Sequence, residues 1–193
     1  MSLHDQHYVH CDIKPSNFMV QARADNVAPT IFLIDFGLVW QFRSPTTYLY
    51  TPFTMERLVI ATLPFTSING QQGHTQSRHN DLESLAYTII FLACGDLPWS
   101  SVTICRDCKA VLQKKMLITA EELCKGLPPP FSKFIIHVWS LGFNEKPDYE
   151  HLHTILLQCS GTGTGQPSKA PTSTPPSLSA NTTRRPCIVG DYV

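Results

Sequence analysis

The chain has no charge of either sign to spare: 15 Lys and Arg balance 15 Asp and Glu across 193 residues. Such a balance supplies no basic stripe for a phosphate backbone and no cationic face for anionic lipid, so neither nucleic acid nor membrane is expected as a partner. Long apolar runs are lacking as well. The longest, around Leu85 to Cys94, is roughly half of what a bilayer crossing needs. No charged n-region and apolar h-region open the chain, so no secretory signal is expected. Cysteine pairs at metal-ligand spacing are scarce. Of seven Cys, Cys105 and Cys108 form the one CxxC, with only Cys124 and His137 as imaginable further ligands, and a lone CxxC is weak grounds for zinc. An odd, scattered set of thiols fits a reducing compartment. These absences describe a soluble, intracellular protein, cytoplasmic or nuclear.

What is present divides the chain in two. At 42% hydrophobic it can bury a real core, and its length suits one domain with a tail. The domain is expected over 1–159. From Ser160 the composition turns to Gly, Thr, Ser and Pro, which cannot offset the entropy of ordering, so 160–193 is expected to be disordered. The Gly161 to Gly165 alternation follows a helical pattern and enters the Pro-rich tail, so it reads as linker rather than a phosphate loop, which sits between a strand and a helix. The Asn181-Thr182-Thr183 sequon carries no weight without a secretory signal.

Two short motifs carry chemistry. His10-Cys11-Asp12-Ile13-Lys14-Pro15-Ser16-Asn17 places a carboxylate, a cation and an amide oxygen within six residues, and Pro15 forbids a regular helix, so the three can converge from a loop. Moving a γ-phosphoryl group needs those types: a carboxylate at the acceptor hydroxyl, a cation on the transferring oxygens, oxygen ligands for magnesium. Asp12 is then the group that orients or deprotonates a hydroxyl, Lys14 the charge on the γ-phosphate, Asn17 a magnesium ligand. Further on, Ile31-Phe32-Leu33-Ile34 reads as a buried strand that holds Asp35 at its end as the main magnesium ligand. Phe36 is expected to pack inward, and Gly37 to let the chain turn.

A DFG tripeptide alone is weak, but together the two motifs match the protein-kinase pattern H-R-D-x-K-x-x-N and D-F-G everywhere except Cys11. More specifically, residues 3 to 159 resemble the casein kinase I family of Ser/Thr protein kinases. Ser67-Ile68-Asn69 stands where most kinases have Ala-Pro-Glu, and Gln76-Ser77-Arg78-His79-Asn80-Asp81-Leu82-Glu83-Ser84-Leu85 resembles the family's QSRRDDLESL. Leu97-Pro98-Trp99 and Phe143 to Tyr149 resemble two further family stretches. The resemblance implies ATP and Mg2+ as cofactors and proteins as substrates, acidic or pre-phosphorylated ones among them. It implies that Thr62 hydrogen-bonds the Asp12 and Lys14 pair, that Asp81 binds the catalytic-loop backbone, and that Arg78 helps read a substrate anion. Departures are Cys11 for an Arg, His79 for a second Arg, Ser100-Ser101 for Gln-Gly, and Trp139 for an Arg in a late helix. His10 is expected to pack beneath the catalytic loop.

Helical patterns follow. Asn80 with Glu83 suggests a capping box before an apolar helix that ends at Gly95. Others span about Arg106 to Leu117, Thr119 to Gly126 with Glu122 completing a box, Phe131 to Leu141, and Pro147 to Cys159. Short strands are expected near Tyr8-Val9, Phe18 to Val20 and Ile31 to Ile34. The fold class is therefore α+β, mainly α: by resemblance, a protein-kinase C-terminal lobe lacking the N-lobe. No Gly-rich phosphate loop, strand Lys, helix Glu or hinge is found. Three readings follow: a truncated kinase lobe inactive alone, a non-catalytic interaction module, or a lobe completed by another chain. Apolar faces left uncovered would invite association.

Overall fold

The computed structural model describes residues 2–21, 29–55, 62–104 and 107–160, with the side chains of 103, 104 and 160 set aside. Cys105, the Gly161 to Gly165 run, the sequon and nearly all of the expected tail lie outside the described residues.

Tyr8–Val9 (β1) pairs antiparallel with Trp40–Gln41 (β4), a strand the sequence pattern did not suggest. Phe18–Gln21 (β2) pairs antiparallel with Thr30–Leu33 (β3), in a register that sets Phe18 opposite Leu33 and Met19 opposite Phe32. The buried strand expected at Ile31 to Ile34 is corrected in one respect. Ile31 and Val20 are each 64% exposed, and Met19 and Phe32 also face solvent, because no further layer among the described residues covers the hairpin.

The helices form the body: Ile68–Gln71 (α1), Arg78–Cys94 (α2), Ser100–Ile104 (α3), Cys108–Leu117 (α4), Ala120–Leu123 (α5), Pro129–Ser140 (α6) and Tyr149–Ser160 (α7). At the centre lies α2, with Leu82, Ala86, Tyr87 and Ile90 buried and Gly95 ending it at φ 80°, a conformation glycine adopts without strain. Its start differs from the expected box at Asn80 and Glu83. Ser77 is the N-cap and Asn80 Oδ1 accepts from the Ser77 amide at 2.8 Å, which leaves Glu83 free to turn into the core. The Thr119 and Glu122 box forms as read, with reciprocal bonds of 3.0 and 3.1 Å. Asp107 caps the start of α4 by accepting from the Ala110 amide, and Arg106 lies outside the described residues. Prolines fit a first helical turn, so α6 begins two residues before the expected Phe131.

Against α2 pack Phe134, Ile135 and Val138 of α6, and α7 contributes Leu152 and Ile155. Trp99 meets Tyr87 edge to face at 4.9 Å, both fully buried. Burial of this kind stabilises by roughly 2 kcal/mol for each large apolar side chain. Among the described residues no helix is long and apolar enough to cross a membrane.

Candidate functional site

The loop between β1 and β2 is held from below before any of its chemistry is set. Asp81, in the first turn of α2, accepts the His10 amide on Oδ2 at 2.7 Å and the Cys11 amide on Oδ1 at 3.0 Å. His4 Nε2 donates to the same Oδ2 at 2.9 Å, and His4 Nδ1 lies 2.6 Å from the Tyr149 hydroxyl. The backbone role implied for Asp81 is therefore the geometry found, and His4 and Tyr149 are additions the sequence did not suggest. Burial pushes the Tyr149 phenol up to about 12, so it keeps its proton. His10 is fully buried, accepts the Asp12 amide on Nδ1 at 3.3 Å and donates from Nε2 to the Ile34 carbonyl at 3.1 Å, which fixes its tautomer. It ties the catalytic loop to the strand leading to Asp35.

On this base three side chains close a triangle. Lys14 Nζ donates to Asp12 Oδ2 at 2.5 Å and to Thr62 Oγ1 at 3.0 Å, and Thr62 Oγ1 donates to Asp12 Oδ1 at 2.9 Å. Both carboxylate oxygens thus receive donors, and the ammonium has two acceptors. Asn17 Nδ2 donates to the Asp12 carbonyl at 2.8 Å and lies 3.3 Å from its Oδ2. With the nitrogen so used, the amide oxygen of Asn17 turns away and takes no hydrogen bond among the described residues.

Pairing of β2 with β3 brings the second motif alongside: the Ile34 amide donates to the Asn17 carbonyl at 2.9 Å, so Asn17 stands opposite the residue that precedes Asp35. Asp35 has φ 66° and caps a short 3₁₀ turn, accepting the Gly37 amide on Oδ1 at 3.3 Å. Cys11, immediately before Asp12, has the same φ. Such left-handed backbone at non-glycine residues costs of order 1 kcal/mol and clusters where side chains must be aimed. Phe36, expected inward, is instead 55% exposed, and only its ring edge meets His10, at 5.4 Å between centroids. The oxygen set offered by Asn17 and Asp35, a neutral amide and a carboxylate, suits magnesium, which takes few protein ligands and leaves the rest to water and phosphate.

Arg78 does not join this group. It is buried, donating from Nη2 to the Tyr50 hydroxyl and the Asn144 carbonyl, each at 2.8 Å, with its guanidinium 4.8 Å from the centre of the Phe42 ring. Anion contact at Arg78 therefore meets a guanidinium already engaged inside the fold. Trp139 lines a cavity of about 420 Å3 with Glu83 and Lys115. Glu83 is satisfied without an arginine, by the Tyr87 hydroxyl at 2.6 Å and the Ile68 amide at 3.0 Å, and burial pushes its carboxyl up.

Residues 1–154 match the family model described as protein kinase domain. Casein kinase I homolog 3 of Schizosaccharomyces pombe is 32% identical over 172 residues, covering 86% of this chain and 39% of the relative. Casein kinase I homolog 2 of the same organism is 33% identical over 158 residues, covering 80% and 36%. A probable casein kinase I homolog of Encephalitozoon cuniculi is 34% identical over 157 residues, covering 80% and 50%. The chain therefore spans half or less of the length of these curated relatives. The catalytic-loop and DFG motifs, the geometry they adopt and the match over 1–154 agree: the chain belongs to the protein kinase domain family and is casein-kinase-I-like.

Proposed function

We propose that this chain carries the acceptor-side and metal-binding half of a Ser/Thr protein kinase site. The observation that supports this best is the closed triangle of Asp12, Lys14 and Thr62, with Asn17 bonded to Asp12. Asp81 holds the two residues before Asp12, and Thr62 donates to its carboxylate, so that carboxylate is held ready to orient a Ser or Thr hydroxyl and take its proton. Lys14 sits against that carboxylate as the charge for a transferring phosphoryl oxygen. Asn17 and Asp35 would hold magnesium, which when bound supplies neutralisation of the phosphate charge. Thr62 keeps Asp12 and Lys14 in register. Protein substrates follow from this chemistry. A substrate anion at Arg78 would first have to draw its guanidinium away from Tyr50 and Asn144.

These residues correspond to a C-terminal lobe, and such a lobe by itself offers no cradle for ATP and is inactive alone. A second reading, an interaction module or a lobe completed by another chain, draws support from the exposed apolar residues Met19, Val20, Ile31 and Phe32. Magnesium-dependent ATP binding by the purified chain tests these readings as a thermal shift with Asp35→Asn as control, and the absence of any cooperative melt marks a lobe that needs its other half. A shift of a few degrees that vanishes in Asp35→Asn supports a site assembled by this chain or its self-association. A folded protein with no shift favours the interaction module.

A further inference from the structure

Lys115 lies on α4, far along the chain from the motifs, yet it is 1% exposed. Its ammonium has three hydrogens and three oxygens receive them: the Leu63 carbonyl at 2.8 Å, the Thr66 carbonyl at 2.7 Å and Gln71 Oε1 at 3.3 Å. The rings of Tyr87 and Trp99 close the remaining sides, each 5.3 Å from Nζ. All three acceptors belong to one stretch of chain that runs directly on from Thr62. The same stretch is held at two further points, where Trp99 Nε1 donates to the Pro64 carbonyl at 2.9 Å and the Ile68 amide donates to Glu83. Between Leu63 and Thr66 the chain carries no regular structure, so its carbonyls depend on side chains for their partners.

We propose that Lys115 is a positioning residue for the phosphoryl-transfer site: by fastening residues 63–71 from within the helical core, it holds the Thr62 hydroxyl on Asp12 and Lys14. This inference rests on the kinase reading only for its consequence in catalysis, because the fastening itself needs no nucleotide. A cation is suited to the task because one ammonium satisfies several carbonyls at once, and charge-assisted bonds are about twice as strong as neutral ones. Burial pulls the ammonium down to about 7 while the Glu83 carboxylate acts in the opposite direction, as expected of a cation removed from water to do internal work. Methionine in its place keeps the volume and removes all three donors.

The test uses the whole chain without ATP, so an inactive lobe does not obscure it. The 13C resonance of the Asp12 carboxylate is recorded in the parent chain, in Thr62→Val, in Lys115→Met and in the core variant Ile135→Val, with amide hydrogen exchange on each. In Lys115→Met the Asp12 resonance is expected to move to its Thr62→Val position, and exchange over 63–71 to accelerate at least tenfold with α2 and α6 still protected. Ile135→Val lowers global stability and leaves the resonance in place. Because a lone Glu83 carboxylate could unfold Lys115→Met, the pair Lys115→Met with Glu83→Gln is measured beside it with the same expectation. An Asp12 resonance that stays at the parent position in the folded variants, or exchange that accelerates equally throughout the core of the pair, overturns the proposal.

Discussion

A carboxylate that accepts two consecutive backbone amides and a histidine leaves three donors stranded when it is removed. Asp81 is that group, with bonds of 2.7, 3.0 and 2.9 Å. Asp81→Ala is expected to destabilise the chain by about 3 kcal/mol, since two of the freed groups are backbone amides in a largely buried loop. A lowered urea midpoint with unchanged slope checks it. Cys11 gives a smaller effect of the opposite sign. At φ 66° a glycine relieves strain, so Cys11→Gly is expected to raise stability by about 0.5–1 kcal/mol in the same titration. At this scale the candidate residues Asp12, Lys14, Asn17 and Asp35 were legible as motifs, because particular types stand there at fixed spacing. Lys115 and His4 were not. A lysine on a helix reads as solvated, and only Leu63, Thr66 and Gln71, brought in from 44 to 52 positions away, make it internal.

His79 shows how an element's end acquires a pH dependence. It follows the Ser77 cap of α2, and its ring accepts from Asn69 Nδ2 at 2.9 Å while the other nitrogen donates to Ser77 Oγ at 2.9 Å. That pattern requires neutral imidazole. Burial takes its pKa from 6.5 down to about 4, against a weaker pull upward from Asp81. The unfolded chain then binds a proton that the folded chain refuses between those values, so stability falls as pH drops from about 6.5 to about 4. The loss attributable to His79 is on the order of 3 kcal/mol when complete. His79→Gln should flatten that limb of a pH-dependent denaturation series. The existence of α2, α4, α5, α6 and α7 was legible from periodicity and caps, whereas the short α1 and α3 were not, and Thr119 with Glu122 was read correctly to the residue. The α2 start was misplaced because Ser77 and Asn80 form as good a cap as Asn80 and Glu83, and the core partners Tyr87 and Ile68 decide which way Glu83 turns. Exposure of β3 was illegible for a related reason: an apolar run declares what it would bury against, not whether that layer is present.

For the molecule as a whole, the β2–β3 hairpin presents apolar side chains on both faces, Val20 and Ile31 opposed on one and Met19 and Phe32 on the other. Contacts between chains are expected to form there. Ile31→Lys together with Phe32→Lys should reduce the weight-average mass in sedimentation equilibrium toward that of a single chain. Its effect on the unfolding free energy of the monomer should stay within about 0.5 kcal/mol, since little is buried at these positions.

The clasp of Asp81 on the catalytic loop joins residues 71 positions apart, and His4 reaches Tyr149 across 145. Synthesis delivers the two motifs first and the helix that organises them afterwards. At about 5–20 residues per second, Asp12 and Asp35 leave the ribosome several seconds before Asp81 can receive the loop's amides. The proposed constellation is thus a late product of folding, closed only when the centre of the helical body has been made.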